Sequence, residues 1–299
     1  MRILVTGVSG QVGAAVAARL ASYGKIVAAD RNILDLSKPH DISRALDAIE
    51  PDIIVNPAAY TAVDRAEDEP DLAFVVNATA PEVIARWAAA RGVPLMHFST
   101  DYVFDGSGEM PWREDDQPNP LSVYGASKLA GETAVRAAGG PHLIIRTSWV
   151  YSAGGMNFLR TIASNCRRRE ELRVVADQIG GPTSAECITD AIAGIFARGI
   201  DSLANNFASA GGLVHVAAHG TVSWHGFASM IVTGLEARGL AVTTRQIVPI
   251  TTPEYPTKAV RPLNSRFDLS RLEHVFGIIP MPWTTYAETE LDRYVAAGS

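Results

Sequence analysis

Tyr124 and Lys128 lie four residues apart in the segment Tyr-Gly-Ala-Ser-Lys. On a helix this spacing puts both side chains on one face, offset by about 40°. A tyrosine hydroxyl titrating near its ordinary value of about 10 is a poor acid–base group at neutral pH. A neighbouring ammonium favours the phenolate, so the pair predicts a tyrosine whose pKa is lowered by Lys128. Upstream, His97-Phe98-Ser99-Thr100 ends an apolar run with a hydroxyl suited to sit beside a substrate oxygen. These side chains suit carbonyl reduction. A nicotinamide would give the hydride, Tyr124 the proton and Thr100 the polarisation, with Lys128 also on the nicotinamide ribose.

A second group suits the cofactor that such chemistry needs. Gly7, Gly10 and Gly13 follow the apolar run Ile3–Thr6 and precede a helical pattern. A turn without Cβ atoms lets backbone N–H groups and a helix N-terminus face a pyrophosphate. The next strand ends at Asp30, about 20 residues on, where a carboxylate accepts from an adenosine ribose hydroxyl and favours NADH. Arg31 beside it suits the 2′-phosphate of NADPH instead. Asp35 and Leu36 fall in a second turn that can flank the adenine. Asn56-Pro57-Ala58-Ala59-Tyr60 supplies small residues where the chain must pass close to a ligand.

The elements that must position these groups follow from hydrophobic pattern. Ile3–Thr6, Ile26–Ala29, Ile53–Asn56, Leu95–Ser99 and Leu143–Thr147 are short, continuously apolar runs, as expected of parallel strands covered on both faces. Between them, Gln11–Tyr23, Asp41–Glu50, Asp71–Arg91 and Ser122–Ala138 read as helices. Leu72, Val75, Val76, Thr79, Val83 and Trp87 recur at helical spacing within the third. The alternation predicts an α/β fold with a doubly wound, Rossmann-like parallel sheet. Beyond Tyr151 the pattern loosens. Asn157–Arg168, Ser184–Arg198, Ser223–Glu236 and Thr284–Ala297 read as helices, with strand-like runs at Leu172–Val175, Leu213–Val216 and Gln246–Pro249. The segment Phe104–Pro120 is long and polar, and it predicts a functional loop or lid.

Composition removes several function classes. The 299 residues are 47% hydrophobic and 19% charged, enough apolar material for one or two domains and too much for a disordered chain. The net charge of −6 argues against a nucleic-acid partner, whose binding rests on neutralising phosphates. Cys166 and Cys187 have no metal-ligand spacing and read as small buried hydrophobes in a reducing, cytoplasmic setting. The start is a strand rather than a leader. No apolar stretch approaches the length of a transmembrane helix, so no membrane contact is expected. The triplet Arg167–Arg168–Arg169 reads as a solvated helix end.

The motifs together resemble the dTDP-4-dehydrorhamnose reductase family of extended short-chain dehydrogenases. The resemblance runs over GVSGQVG (7–13), PDIIVNPAAYTAVDRAE (51–67), FSTDYVFDG (98–106), NPLSVYGASKLAGE (119–132), RTSWVY (146–151), DQIGGPT (177–183) and RPLNSRFDL (261–269). It implies NAD(P)H-dependent reduction of the C4 ketone of dTDP-4-dehydro-L-rhamnose. Thr100, Tyr124 and Lys128 would be catalytic. Gln11, Val12, Asp30, Ala58, Ala59 and Tyr60 would join the cofactor site. Asp101, Tyr102, Val103 and Phe104 would line the sugar and nicotinamide region, and Trp149 would pack on the deoxysugar. Asn157, Arg261 and Asn264 would face the nucleotide sugar. The resemblance further implies a cofactor domain over 1–150, with returning segments near 172–185 and 213–245, and a smaller interleaved substrate lobe within 151–299.

Departures narrow what carries over. Some members bridge a homodimer with magnesium held by three glutamates. Here those positions align with Ala15, Glu186 and Arg293, which leaves one carboxylate for a cation that takes several oxygens. No metal site is expected, and a homodimer would need other contacts. Pro57 and Tyr60 replace an alanine and a histidine common in the family. Thr100-Asp101 is followed by Tyr102, where a 4,6-dehydratase needs a glutamate. Another 4-keto nucleotide-sugar reductase, an epimerase, or a non-catalytic NADP-binding regulatory subunit are the alternatives.

Overall fold

The computed structural model describes residues 1–199 and 202–298. The first half builds β1 (Arg2–Thr6), α1 (Gln11–Leu20), β2 (Lys25–Ala29), α2 (Pro39–Ile49), β3 (Ile53–Asn56), α3 (Val63–Ala66) and α4 (Pro70–Phe74). A π-helical segment, Val75–Thr79, then runs into α5 (Ala80–Arg91), followed by β4 (Leu95–Thr100), α6 (Val123–Ala137) and β5 (His142–Thr147). The expected strands and helices of this half are present. The expected single helix Asp71–Arg91 is interrupted by the π-helical turn, which admits one extra residue and shifts the phase. In consequence Ala73, Asn77, Ala80 and Ile84 face inward, whereas Leu72 and Thr79 of the expected stripe are exposed.

The second half gives β6 (Val150–Tyr151), α7 (Phe158–Asn165), β7 (Glu171–Val175), β8 (Ile179–Gly180), β9 (Thr183–Ser184), α8 (Ala185–Ala197), α9 (Leu203–Ser209) and β10 (Leu213–His215). It closes with β11 (Val222–Ser223), α10 (Trp224–Ala237), β12 (Gln246–Ile250), β13 (Asn264–Ser265), α11 (Ser270–Phe276) and α12 (Trp283–Ala296).

Six strands form one parallel sheet in the order β10-β5-β4-β3-β1-β2. Strand order reverses between β1 and β3, so the crevice of an open α/β sheet opens beyond their carboxyl ends. One face of the sheet packs α1, α8, α9 and α11 through Ile3, Val5, Val16, Ile188, Ile192, Phe207 and Leu272. The other face packs α2 and α5 through Leu4, Ile54, Ile42, Leu46, Ile84 and Trp87. A separate core in the second half joins Tyr151, Leu159, Ile162, Leu172, Phe227, Ile231, Ala287 and Leu291.

The expected return to the main sheet near Leu172 is not seen. β7 pairs instead with β12 in a two-stranded ribbon, Leu172 opposite Ile247. The chain rejoins the first core through α8 and then adds β10 beside β5. Only one face of β7 is covered, Leu172 and Val174 packing on α7 and α10, while Glu171 and Arg173 on the other face stay exposed, unlike a central parallel strand. The loop after β4 is also no free lid. Phe104 stacks on Trp112 with ring centroids 4.5 Å apart. Trp112 Nε1 donates to the Asn264 carbonyl at 3.0 Å, and Glu114 accepts from the His215 N–H at 2.9 Å.

Candidate functional site

β4 delivers Thr100 and α6 delivers Tyr124 and Lys128 to the same carboxyl end of the sheet. Ser122 caps α6 by accepting from the Gly125 N–H at 3.2 Å, which fixes where the helix starts. The glycines of this segment let it approach its neighbours. A Cβ on Gly125 would lie 2.2 Å from the Tyr102 carbonyl oxygen, and one on Gly131 2.1 Å from that of Asn77. Thr100 Oγ1 donates to Asp101 Oδ1 at 3.0 Å and accepts from the Tyr102 N–H at 3.3 Å. Thr100 also hydrogen-bonds the Tyr124 hydroxyl. The Tyr102 ring meets Tyr124 edge-on at 5.4 Å.

The charges in this cluster are set by burial. Lys128 is 2% exposed, and its ammonium donates to the Phe98 carbonyl at 2.6 Å. Desolvation pulls its pKa down to about 8, against the raising pull of Glu132 one turn along α6. The Tyr124 ring is half-buried, but its hydroxyl end is enclosed. Burial pushes that pKa up to about 12, with the Thr100 hydrogen bond acting the other way. This corrects the expectation of a tyrosine lowered by Lys128: the ammonium is committed to the Phe98 carbonyl, and desolvation of the phenolate dominates. Asp101 is pushed up to about 6 by burial, with Ser265 and Thr100 drawing it down.

The glycine loop has the geometry that a pyrophosphate needs. Gly7 adopts φ +59°, and a Cβ there would lie 2.9 Å from Ala58 Cα. A Cβ on Gly13 would lie 2.2 Å from the Gly7 carbonyl oxygen, so the helix can start close over the turn only with glycine. Gly10 is the N-cap of α1 and donates to the Gly7 carbonyl at 2.9 Å. Ala58 donates to Thr6 Oγ1 at 3.2 Å, which ties the small-residue turn after β3 to β1. Tyr60 N–H donates to Asn77 Oδ1 at 2.8 Å, Asn77 donates to Ser127 Oγ at 3.0 Å, and Ser127 donates to the Tyr124 carbonyl at 2.7 Å. The turn after β3 is thus linked to α6 through the π-helical segment. These backbone approaches fit a dinucleotide at the N-terminus of α1.

Other expected residues fall elsewhere. Asp30 closes its own turn, accepting from Asn32 and Ile33 N–H groups, while Arg31 is exposed beside it. Asp35 accepts from Ser37, which lowers its pKa, and Leu36 is a core residue. Val12 packs against the sheet core. Val103 and Phe104 are fully buried, and Phe104 stacks on Trp112 rather than lining a cleft. The Asn264 amide donates to the Met110 carbonyl at 2.8 Å and so holds the loop. Asn157 Nδ2 donates to Gln11 Oε1 at 2.7 Å and to the Ser152 carbonyl at 2.8 Å, which latches α7 to the start of α1. Arg261 donates to Asp64 Oδ2 at 2.8 Å, while its buried Nε has no partner among the described residues. Trp149 sits two residues beyond Thr147, the register partner of Thr100.

Three contributors escaped the sequence reading. Glu132 and Arg146 form a buried bidentate pair behind Lys128, at 2.8 and 2.7 Å. A charge in the middle of an apolar strand is the signal for Arg146. Trp224 stacks on Trp149, and only the tertiary fold joins them. Ala15, Glu186 and Arg293 do converge on one surface cavity of about 720 Å³. Both Glu186 oxygens accept from Arg293 at 2.9 Å, and Glu290 accepts from Arg293 and from the Ala153 N–H. That donor set does not fit a divalent cation, because its carboxylates are already spent on a guanidinium.

The chain matches the family model described as RmlD substrate binding domain over residues 1–296. It is 41% identical over 287 residues to the dTDP-4-dehydrorhamnose reductase of Escherichia coli K12, covering 95% of this chain and 94% of that one. It is 44% identical over 286 residues to the enzyme of that name from Burkholderia thailandensis, covering 95% of each chain. Among solved structures, the dTDP-4-dehydrorhamnose reductase of Bacillus anthracis in complex with NADP superposes with a TM-score of 0.84 at 34% identity, covering 99% of both chains. No helix among the described residues is long and apolar enough to cross a membrane.

Proposed function

The chain belongs to the RmlD substrate binding domain family, and from that premise we propose that it reduces the C4 ketone of dTDP-4-dehydro-L-rhamnose to dTDP-L-rhamnose. The convergence of Thr100, Tyr124 and Lys128 beside a glycine loop shaped for a pyrophosphate carries this reading. A bound NAD(P)H supplies the hydride. Tyr124 gives its proton to the developing C4 alkoxide. Its high pKa keeps it protonated at neutral pH, so it enters the step as an acid. The Thr100 hydroxyl turns its one hydrogen from Asp101 to the same oxygen and polarises it. Lys128 stands one turn from Tyr124 as a buried cation anchored on the Phe98 carbonyl, and its remaining donors are assigned to the nicotinamide ribose.

Gln11, Val12, Ala58, Ala59, Tyr60, Asp35 and Leu36 are assigned to the cofactor side, with Asp30 and Arg31 at the adenosine ribose. Asp101, Tyr102, Trp149, Asn157, Arg261 and Asn264 are assigned to the nucleotide sugar, of which Trp149 and Arg261 have the best support, whereas the fully buried Val103 and Phe104 are not. The Asp30 carboxylate is occupied by its own turn and Arg31 is exposed, which favours NADPH. The buried free thiols Cys166 and Cys187 suit a cytoplasmic location. A homodimer through the Glu186–Arg293 face would do without metal.

The test is nicotinamide absorbance with dTDP-4-dehydro-L-rhamnose and either cofactor. Tyr124→Phe is expected to lower kcat about 10²–10⁴-fold while NADPH still binds. A wild-type protein inert toward this substrate, or an undiminished Tyr124→Phe, overturns the reading.

A further inference from the structure

Trp149, at φ +48°, is the one aromatic residue among those described with a left-handed backbone, Glu50 being the other residue besides glycines. Left-handed backbone strains a large side chain, and such strain persists where the surroundings over-determine it. The surroundings here are specific. Trp224 stacks flat on Trp149, with ring centroids 3.5 Å apart and planes 9° from parallel, and Phe158 backs Trp224 at 4.5 Å. On the indole edge lies Gly180, where a Cβ would be 2.6 Å from Trp149 Cε2 and 2.9 Å from Nε1. The backbone around Trp149 is closed as well: Thr183 N–H donates to its carbonyl at 3.2 Å, and Ser148 Oγ donates to the Gly181 carbonyl at 3.3 Å.

Sheet register delivers these groups. β8 pairs antiparallel with β11, Gly180 opposite Val222 and Ile179 opposite Ser223, so Trp224 follows one residue past Ser223, diagonal to Gly180. β8 also pairs with β13. The motifs DQIGGPT and RPLNS therefore meet under Trp149, which stays half-buried at the sheet's carboxyl edge beyond Thr147.

We propose that Trp224 is a positioning residue: with Gly180 leaving room at the edge, it clamps Trp149 in its left-handed backbone as a rigid apolar wall against the sugar of a nucleotide sugar. The identity of that ligand rests on the function proposed above. A flat stack fixes an indole with little residual rotamer freedom, so the wall is formed before the ligand arrives.

Calorimetry with dTDP and with dTDP-L-rhamnose tests this on the full chain. The readout is the factor by which the sugar tightens binding over dTDP alone. Wild-type protein should show a sugar factor of about tenfold or more. Trp224→Ala and Gly180→Ala should both erase it while dTDP and NADPH affinities stay within about twofold, and Trp224→Phe should restore most of it. In near-UV circular dichroism the coupled signal of the stacked indoles should vanish in Trp224→Ala. An intact sugar factor in Trp224→Ala, a wild type without such a factor, or equal losses for dTDP, NADPH and the sugar nucleotide would each overturn the proposal. A wild type that shows the sugar factor but reduces nothing breaks the assigned reaction and leaves the clamp standing.

Discussion

Two arginine–carboxylate pairs have nearly equal lengths and unlike surroundings. Arg146 and Glu132 are 1% and 2% exposed at 2.7 Å; Arg261 and Asp64 are 30% and 45% exposed at 2.8 Å. The first joins β5 to α6 directly behind Lys128, with Phe104 5.0 Å below the guanidinium. Its charges cannot regain water without opening the core, so the pair is a fixed part of the scaffold. The second joins the segment after β12 to α3, beside Tyr102 and at the open side of the site. Water competes for both partners there, so the contact is weak and its arginine can change partners. Distance alone does not separate the two; solvent access does. A diphosphate, the ligand proposed for Arg261, would offer the planar guanidinium a bidentate pair of oxygens in place of Asp64.

The largest effect should come from breaking the buried pair. Glu132→Ala strands a guanidinium in the core and should cost about 3–5 kcal/mol in urea unfolding. A loss under about 1 kcal/mol would show that water reaches the pair. Next, Arg261→Ala should raise KM for the nucleotide sugar about 10–100-fold with kcat little changed, the worth of one or two charge-assisted hydrogen bonds. Asp64→Asn should leave that KM unchanged or lower it; a raised KM would mean that the pair is needed intact.

Third in size is a pH effect. Lys128 titrates near 8 in the folded chain, so its positive charge and kcat/KM should fall together above that pH, up to tenfold per unit. The stability sign is opposite. The folded-state pKa lies below the usual 10.5, so the unfolded chain binds more protons between about 8 and 10.5, and this group adds stability as pH rises through that window. Glu132→Gln removes a group that raises Lys128, so the alkaline limb should move to lower pH. The smallest effect concerns a third pair, Arg293–Glu186. With both Glu186 oxygens held by the guanidinium, EDTA should shift Tm by less than about 1 °C and leave the particle mass unchanged in light scattering.

Much of this was legible in the chain. Apolar runs located the six-stranded sheet up to β5, because strands covered on both faces carry few polar interruptions. Glycines at 7 and 13 and the Tyr124–Lys128 spacing pointed to the candidate site, because local sterics and helical period set both. What stayed hidden depends on distant partners. Nothing local tells that Asn157 serves Gln11, that Phe104 serves Trp112 instead of a ligand, or that Leu172–Val175 prefers Gln246–Ile250 to the main sheet. The direction of the Tyr124 shift was also hidden, because it follows from enclosure and not from the identity of its neighbour on the helix.

The π-helical turn Val75–Thr79 has a consequence for the chain's length as well as its shape. It works as a one-residue shim: α4 and α5 are held out of phase so that Asn77 can reach both Tyr60 and Ser127. Removing Val75, Val76, Ala78 or Thr79 would let the segment relax into ordinary α-helix and close the wide turn that aims Asn77. Asn77 would swing away from the turn after β3 while every apolar residue of α5 kept its place. Among homologous chains, a gap at this point would therefore separate sequences that share the sheet from sequences that also share the link between the turn after β3 and α6.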